Sequence, residues 1–288
     1  MVLRGKLTLM PFLCMSSLVS AILLFSRCQS DSIPKEKYFQ FYSRSDVRMQ
    51  QDTLSCLLNN PLDCPVRFYI STSDSGLNRS LAYLYPVILR SKKDTVFKIK
   101  THVSVPGKIE TFWRTVLGDP EQKTVHNKMT FPFCKGKRYR IIQGYNGRHS
   151  HNTGYNRYAI DFNLKSNDTV CAADSGYVVG VIKDYKIGRD DKRLQDFANF
   201  ITLYHPKTGL YTQYVHLQYH VSLVSVGDRV QRGQAIGLGG STGWATGEHL
   251  HFNVLIPVAH QDIFQSVPVE FKEQRQGHEL KENDMVEK

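Results

Sequence analysis

Apolar and polar positions alternate along much of this chain, in short runs separated by Gly, Pro, Asn and Asp. Runs at 66–70, 81–89, 96–103 and 109–116 are rich in β-branched and aromatic residues and predict strands. Lys98 and Lys100 alternate with Phe97, Ile99 and Thr101, as one wet and one buried face require. Together these runs predict a small N-terminal β-sandwich-like domain within residues 29–125, entered through a polar tether at 29–50. Gly118-Asp119-Pro120 predicts a turn, with a linker up to about Met129. A second strand series follows at 139–143, 158–164, 176–183, 200–204, 210–217 and 249–256, within a domain at 126–271. Helix is scarce there; 190–199 predicts a helical turn in a charged loop. The fold class is therefore all-β or β-dominated, a small β domain followed by a larger antiparallel one. Residues 272–288 are about half charged, have no apolar periodicity and predict a disordered or frayed tail.

The N-terminus changes the picture. Arg4 and Lys6 precede an uncharged, mostly apolar stretch at 7–25, the pattern of a signal peptide over residues 1–28. Pro11, Ser16, Ser17 and Ser20 weaken the alternative, a retained membrane anchor. Phe25-Ser26-Arg27-Cys28 resembles a bacterial lipoprotein cleavage box, with Arg27 where a small residue is usual. Lipidation at Cys28, plain secretion and a retained anchor all put the bulk of the chain outside the cytoplasm, in the periplasm or held at the membrane.

The hydrophobic fraction of 41% is that of a globular protein. Lys and Arg outnumber Asp and Glu by 37 to 26, a net +11 that favours polyanionic partners. No nucleic-acid motif is present and the basic residues are scattered, so an anionic envelope or lipid surface fits better than nucleic acid. Of six cysteines, Cys14 and Cys28 belong to the export segment. Cys56 and Cys64 flank a short loop with turn chemistry; they predict a disulfide closing a small ring, the other reading being two buried thiols. Cys134 and Cys171 could pair or be free. The absence of any C-x-x-C argues against a cysteine zinc site.

Candidate chemistry centres on Glu248-His249-Leu250-His251-Phe252. On a strand, residues two apart share a face, so His249 and His251 look the same way while Leu250 and Phe252 turn to the core. Two neighbouring imidazoles suit a metal site, one as ligand and one as acid or base. Asp161, between Ile160 and Phe162, is a carboxylate among core residues, costly to bury unless paired or metal-bound. Arg148-His149-Ser150-His151 and Tyr214-Val215-His216 supply further imidazoles. Gly227 and Gly233 punctuate a bend and hairpin at 226–237 that resembles biotinyl and lipoyl carrier domains but lacks their modifiable lysine.

In this order the segments resemble the M23 family of zinc metallopeptidases, lysostaphin-like and LytM-like cell-wall endopeptidases, over roughly residues 131–258. The resemblance rests on Ser-His with Tyr-Ala-Ile-Asp-Phe, Tyr-x-His-Leu, the Val-Gly-Asp bend, the Gly-Ser-Thr-Gly loop at 240–243 and the closing His-Leu-His-Phe. Phe131-Pro132-Phe133 and Gln143-Gly144-Tyr145-Asn146-Gly147 resemble the lead-in of an envelope branch. By position the resemblance implies one zinc held by His151, Asp161 and His251, with His216 and His249 as catalytic non-ligand histidines. Nine residues separate His151 from Asp161, a longer gap than in many members, and leave His149 as a rival ligand. Glu248 stands where proline is common. The implied activity is a zinc metalloendopeptidase acting on peptidoglycan peptides in the cell envelope; the alternative is a non-catalytic protein of the same fold that binds the wall or regulates another hydrolase. His205 and His220 read as structural or exposed, Arg157 and Tyr158 as neighbours of the site, and 184–199 as long enough to form a lid.

Overall fold

A computed structural model of the chain describes residues 32–82, 84–101, 110–259, 264–273 and 275–288. The expected export segment, Cys14 and Cys28 included, lies outside the described residues, as does most of the strand end expected at 101–103. Residues 33–288 form one compact unit.

The N-terminal part holds β1 (Ser45–Gln50), β2 (Thr53–Asn59), β3 (Val66–Thr72), helix α1 (Ser75–Ala82), β4 (Val87–Leu89), β5 (Asp94–Lys100) and β6 (Thr111–Leu117). They make two antiparallel sheets, ordered β1-β2-β5 and β4-β3-β6. Two expectations change here. The polar tether becomes in part β1, whose Val47 and Met49 pack on the core while Arg48 and Gln50 stay exposed. The strand expected at 81–89 begins instead inside α1. The Asp74 carboxylate accepts from the Leu77 amide at 2.8 Å, and Leu77 and Leu81, four apart, bury one helical stripe. A cap plus helical spacing thus overrides β propensity.

The C-terminal part runs through β7 (Arg138–Gln143), β8 (Ile160–Phe162), β9 (Thr169–Cys171), β10 (Gly176–Ile182), β11 (Gly188–Arg189), β12 (Phe200–His205), β13 (Leu210–Val215), β14 (Leu217–Ser222) and β15 (Arg229–Val230). It continues with β16 (Ala235–Gly239), β17 (Gly243–Trp244), β18 (Leu250–Pro257), β19 (Phe264–Ser266), β20 (Glu270–Phe271), β21 (Arg275–Gln276) and β22 (Met285–Glu287). The central sheet is ordered β15-β10-β12-β13-β18-β8-β7-β22, with β19 also on β18. Its pairings are antiparallel. Gly227 and Gly233 both take positive φ, +100° and +81°, at the predicted bend around β15.

The two faces of this sheet have different fates. Ile201, Leu203, Tyr214, Leu250, Phe252 and Val254 point into the main core. On the opposite face, Tyr204, Tyr211 and Leu255 share a core with Leu54, Cys56, Val66 and Phe68 of the N-terminal sheets. Buried Arg67 reinforces that joint, donating to the Val258 carbonyl at 2.8 Å and the Leu117 carbonyl at 3.2 Å. The N-terminal sheets therefore cover one end of the face. At its other end Asp161, Gln213, Val215 and His251 line a cleft.

The described residues of the charged tail are ordered. β20 pairs with β21, β22 adds to β7 as the edge strand of the central sheet, and Leu280 and Val286 are buried in the main core. An edge strand needs only one inward residue here, Val286 between exposed Met285 and Glu287, so its apolar signal is too sparse to read. The Cys56–Cys64 disulfide is also replaced. Both are free, fully buried thiols, raised in pKa by burial, Cys56 to about 11. Asn60 ties the intervening loop instead, donating to the Cys64, Leu89 and Arg90 carbonyls and accepting from the Leu62 amide. Cys134 and Cys171 are free thiols whose sulfurs touch at 3.4 Å.

Candidate metal centre and cleft

Strand register builds the first half of the site. His251 on β18 lies directly opposite Asp161 on β8, and its Nδ1 is 2.9 Å from Asp161 Oδ1. His151 arrives from the long loop between β7 and β8, where its amide donates to the Gly147 carbonyl at 3.0 Å. Its Nε2 lies 3.2 Å from both His251 Nδ1 and Asp161 Oδ2. One ligand-capable atom from each of the three falls within 4.8 Å of the others, and all three residues are buried. The Gln143 side-chain amide donates to Asp161 Oδ2 at 3.1 Å and to Ser150 Oγ at 2.9 Å, and its Oε1 accepts from the His149 amide.

Backbone carbonyls set the ring tautomers. His151 Nδ1 faces the Gly144 carbonyl at 2.8 Å, His216 Nδ1 the Thr242 carbonyl at 2.7 Å and His249 Nδ1 the Gly247 carbonyl at 2.9 Å. A carbonyl oxygen only accepts, so each Nδ1 carries a hydrogen, and a ring in its neutral form keeps a bare Nε2. The His216 and His249 rings lie 4.5 Å apart, and His216 is 6.1 Å from the His251 ring. His216 sits just after β13, at φ +66°, a left-handed conformation that non-glycine residues adopt at some cost.

Burial pushes the His216 proton affinity down to about 3, helped by His249 and His251, so the ring is neutral. Burial opposes charge on Asp161, but His151 and His251 against it hold the carboxyl well below its ordinary range. Burial likewise opposes a proton on His151, yet adjacent Asp161 raises its affinity for one. A buried carboxylate facing two imidazole nitrogens is costly without a cation between them. Two nitrogens and one oxygen from three residues form a set that suits zinc with a position left over.

The other sequence candidates lie elsewhere. His149 is outside the three-residue cluster, its ring 5.2 Å from Trp244 at the cleft rim. Tyr158 packs edge-on against Tyr145, and Tyr155 lines the cleft instead. His205 is buried between the Ser175 carbonyl and the Thr212 hydroxyl, and His220 pairs with Asp184 at 3.0 Å. The carboxyl of Glu248 is lowered by a hydrogen bond from Ser166. The stretch at 184–199 is pinned rather than free as a lid. β11 pairs in parallel with β17, the Trp244 indole donates to Asp190 at 2.8 Å, and Leu194, Phe197 and Ala198 are buried.

Lys192, Gln195, Asp196, Ala198 and Phe200, with Trp244, line a cleft of about 1320 Å³ that is also lined by Asp161, His216, His249 and His251. Gln40, Gln143, Gly144, Thr242 and Tyr155 escaped the sequence reading of the site. The Gln143–Gly147 run and the Gly-Ser-Thr-Gly loop that contains Thr242 carried a signal, as parts of motifs without roles.

Residues 155–263 match the model of peptidase family M23; His151 precedes that span. The chain is 32% identical over 129 residues to a protein named "Uncharacterized metalloprotease" from Buchnera aphidicola subsp. Baizongia pistaciae, over 44% of this chain and 30% of that protein. It is 42% identical over 65 residues to the peptidoglycan DD-endopeptidase ShyC of Vibrio cholerae, over 23% of this chain and 14% of ShyC. The chain thus spans at most 30% of these two relatives. The catalytic domain of the antimicrobial peptidase lysostaphin from Staphylococcus simulans aligns over 45% of this chain and 87% of its own, at 27% identity and a TM-score of 0.31.

Proposed function

We propose, from the match of residues 155–263 to the model of peptidase family M23, that this protein is a zinc metalloendopeptidase that hydrolyses peptide bonds of peptidoglycan outside the cytoplasm. The observation that carries the reading is the buried His151–Asp161–His251 cluster, whose Asp161 and His251 line a cleft that also holds His216 and His249. His151 through Nε2, Asp161 through its carboxylate and His251 through Nδ1 would hold the metal. When bound, zinc polarises a peptide carbonyl and makes a neighbouring water more acidic.

The chain's own groups do the rest. Asp161 stays anionic, and Gln143 orients it by donating to Oδ2. His216 and His249 present bare Nε2 atoms, anchored through Nδ1. One accepts the proton that water loses and passes it to the departing amine. Between those two transfers the protonated ring donates a hydrogen bond to the carbonyl oxygen, where charge has built up. The cleft holds the peptide between the wall containing Trp244 and the face bearing Tyr155 and Gln213.

The peptidoglycan part of the reading is supported by the relative named as a peptidoglycan endopeptidase, by the +11 charge and by the export-type N-terminus. Retention of all five site residues favours catalysis over a purely binding role. The test is release of muropeptide fragments from purified sacculi by the full-length protein, with and without chelator. Hydrolysis that persists after complete zinc removal, or in His251→Ala, would overturn the reading.

A further inference from the structure

We propose that the C-terminal segment, residues 269–273 and 275–288, is a positioning element for the metal centre, acting through Gly144 on His151; this rests on the ligand set proposed above. The Gly144 carbonyl accepts from His151 Nδ1 at 2.8 Å, which leaves His151 Nε2 bare and aimed at Asp161 and His251. If that carbonyl turned away, the ring could exchange tautomers and put a hydrogen on Nε2. The atom facing the cluster would then be a donor where a lone pair is needed.

Gly144 lies just past the end of β7, so something else must hold its peptide. Part of the restraint comes from residues 157–161, through the Tyr145–Tyr158 ring contact, the Gln143–Asp161 pairing and the Asn146 amide's bond to the Arg157 carbonyl, and the remainder comes from the end of the chain. A side chain at Gly144 would collide with the Leu280 carbonyl oxygen, so the absence of one lets the tail backbone press directly against this residue. The next residue, Tyr145, is held the same way. The Val269 amide donates to its hydroxyl at 2.8 Å, and its ring rests on Gly277, where a side chain would collide with it. Upstream, the Ile141 amide donates to the Asp284 carbonyl at 2.8 Å and its carbonyl accepts from the Asn283 amide at 2.9 Å. β22 then continues the pairing along β7.

Leu280 and Val286 anchor this segment in the main core. Residues 141, 144 and 145 are thus clamped from 269 to 284, and the clamp ends on the carbonyl that orients a ligand. This gives the ordered tail a role that its sparse apolar pattern does not announce.

The test uses full-length protein and three variants: Gly144→Ala, Tyr145→Phe and, as control, Gly154→Ala, a position with open space around it. Zinc affinity is measured by competition with a chromogenic chelator, and the His151 tautomer by nitrogen-15 NMR on zinc-free protein. Gly144→Ala is expected to weaken zinc by about 10–100-fold and to mix the tautomers. Tyr145→Phe, which deletes one hydroxyl, shifts both readouts the same way by a smaller factor. Gly154→Ala matches the wild type. Wild-type affinity and a pure Nδ1–H tautomer in both Gly144→Ala and Tyr145→Phe overturn the proposal; if Gly144→Ala does not fold, Tyr145→Phe decides alone. A wild-type protein that binds no zinc would instead overturn the proposed function, and the tautomer readout would still decide this inference.

Discussion

His251 and Asp161 face each other as directly opposed residues of two antiparallel strands, with Nδ1 and Oδ1 2.9 Å apart and both side chains buried. Because strand register fixes this contact, two-thirds of the cluster is as rigid as the sheet itself. The third member, His151, is held by a loop and its carbonyl partner.

Asp161→Asn keeps the shape of the carboxylate and removes its charge. Bound zinc is expected to fall below about one-tenth per chain, since a deprotonated ligand set is what makes such a site. Elemental analysis of the purified variant, with circular dichroism to establish that it folds, checks this.

Gln143→Ala leaves all three cluster residues in place but frees Asp161 Oδ2 from its amide donor. Zinc affinity is expected to drop by about 10–100-fold with the secondary structure unchanged. Chelator competition measures it, and an unchanged affinity would show that Gln143 does not orient the carboxylate.

His216→Ala and His249→Ala are expected to keep zinc and lose turnover, each by about 10²–10⁴-fold, as removal of a proton-transfer group does. Comparing metal content with kcat on cross-linked muropeptides separates this from loss of a ligand. Equal loss of zinc in either variant would move that histidine into the coordinating set.

His205 supplies a pH-dependence away from the site. Burial pushes its proton affinity below the ordinary 6.5, with hydrogen bonds to Ser175 and Thr212. Below pH 6.5 the unfolded chain takes up a proton that the folded chain resists. Its contribution is therefore full above that pH and is lost as pH falls toward the depressed folded value. Denaturant midpoints between pH 5 and 8 in solution, a range of about three units around the ordinary His value, should fall on the acid side. They should fall less steeply in His205→Gln.

Local pattern determined a good deal of this protein. Alternation placed the strands at 66–70, 139–143, 176–183, 200–204 and 249–256 close to where they lie, because a two-residue period is a property of the strand backbone alone. The same period set His249 and His251 toward one side and put Asp161 among core residues. Gly227 and Gly233 marked their bend because only glycine takes those positive φ angles freely.

Tertiary structure decided the rest. Which of His149 and His151 meets Asp161 depends on the path of a loop that has no period to read. The buried fate of 280 and 286, the thiols at 56 and 64 and the pinned wall at 184–199 depend on partners far away in the chain. So does the merging of the N-terminal sheets with the central one, because Tyr204, Tyr211 and Leu255 meet Leu54 and Phe68 only once distant strands have paired. Burial is a sum over such neighbours, and a sequence states only which residues are able to join it.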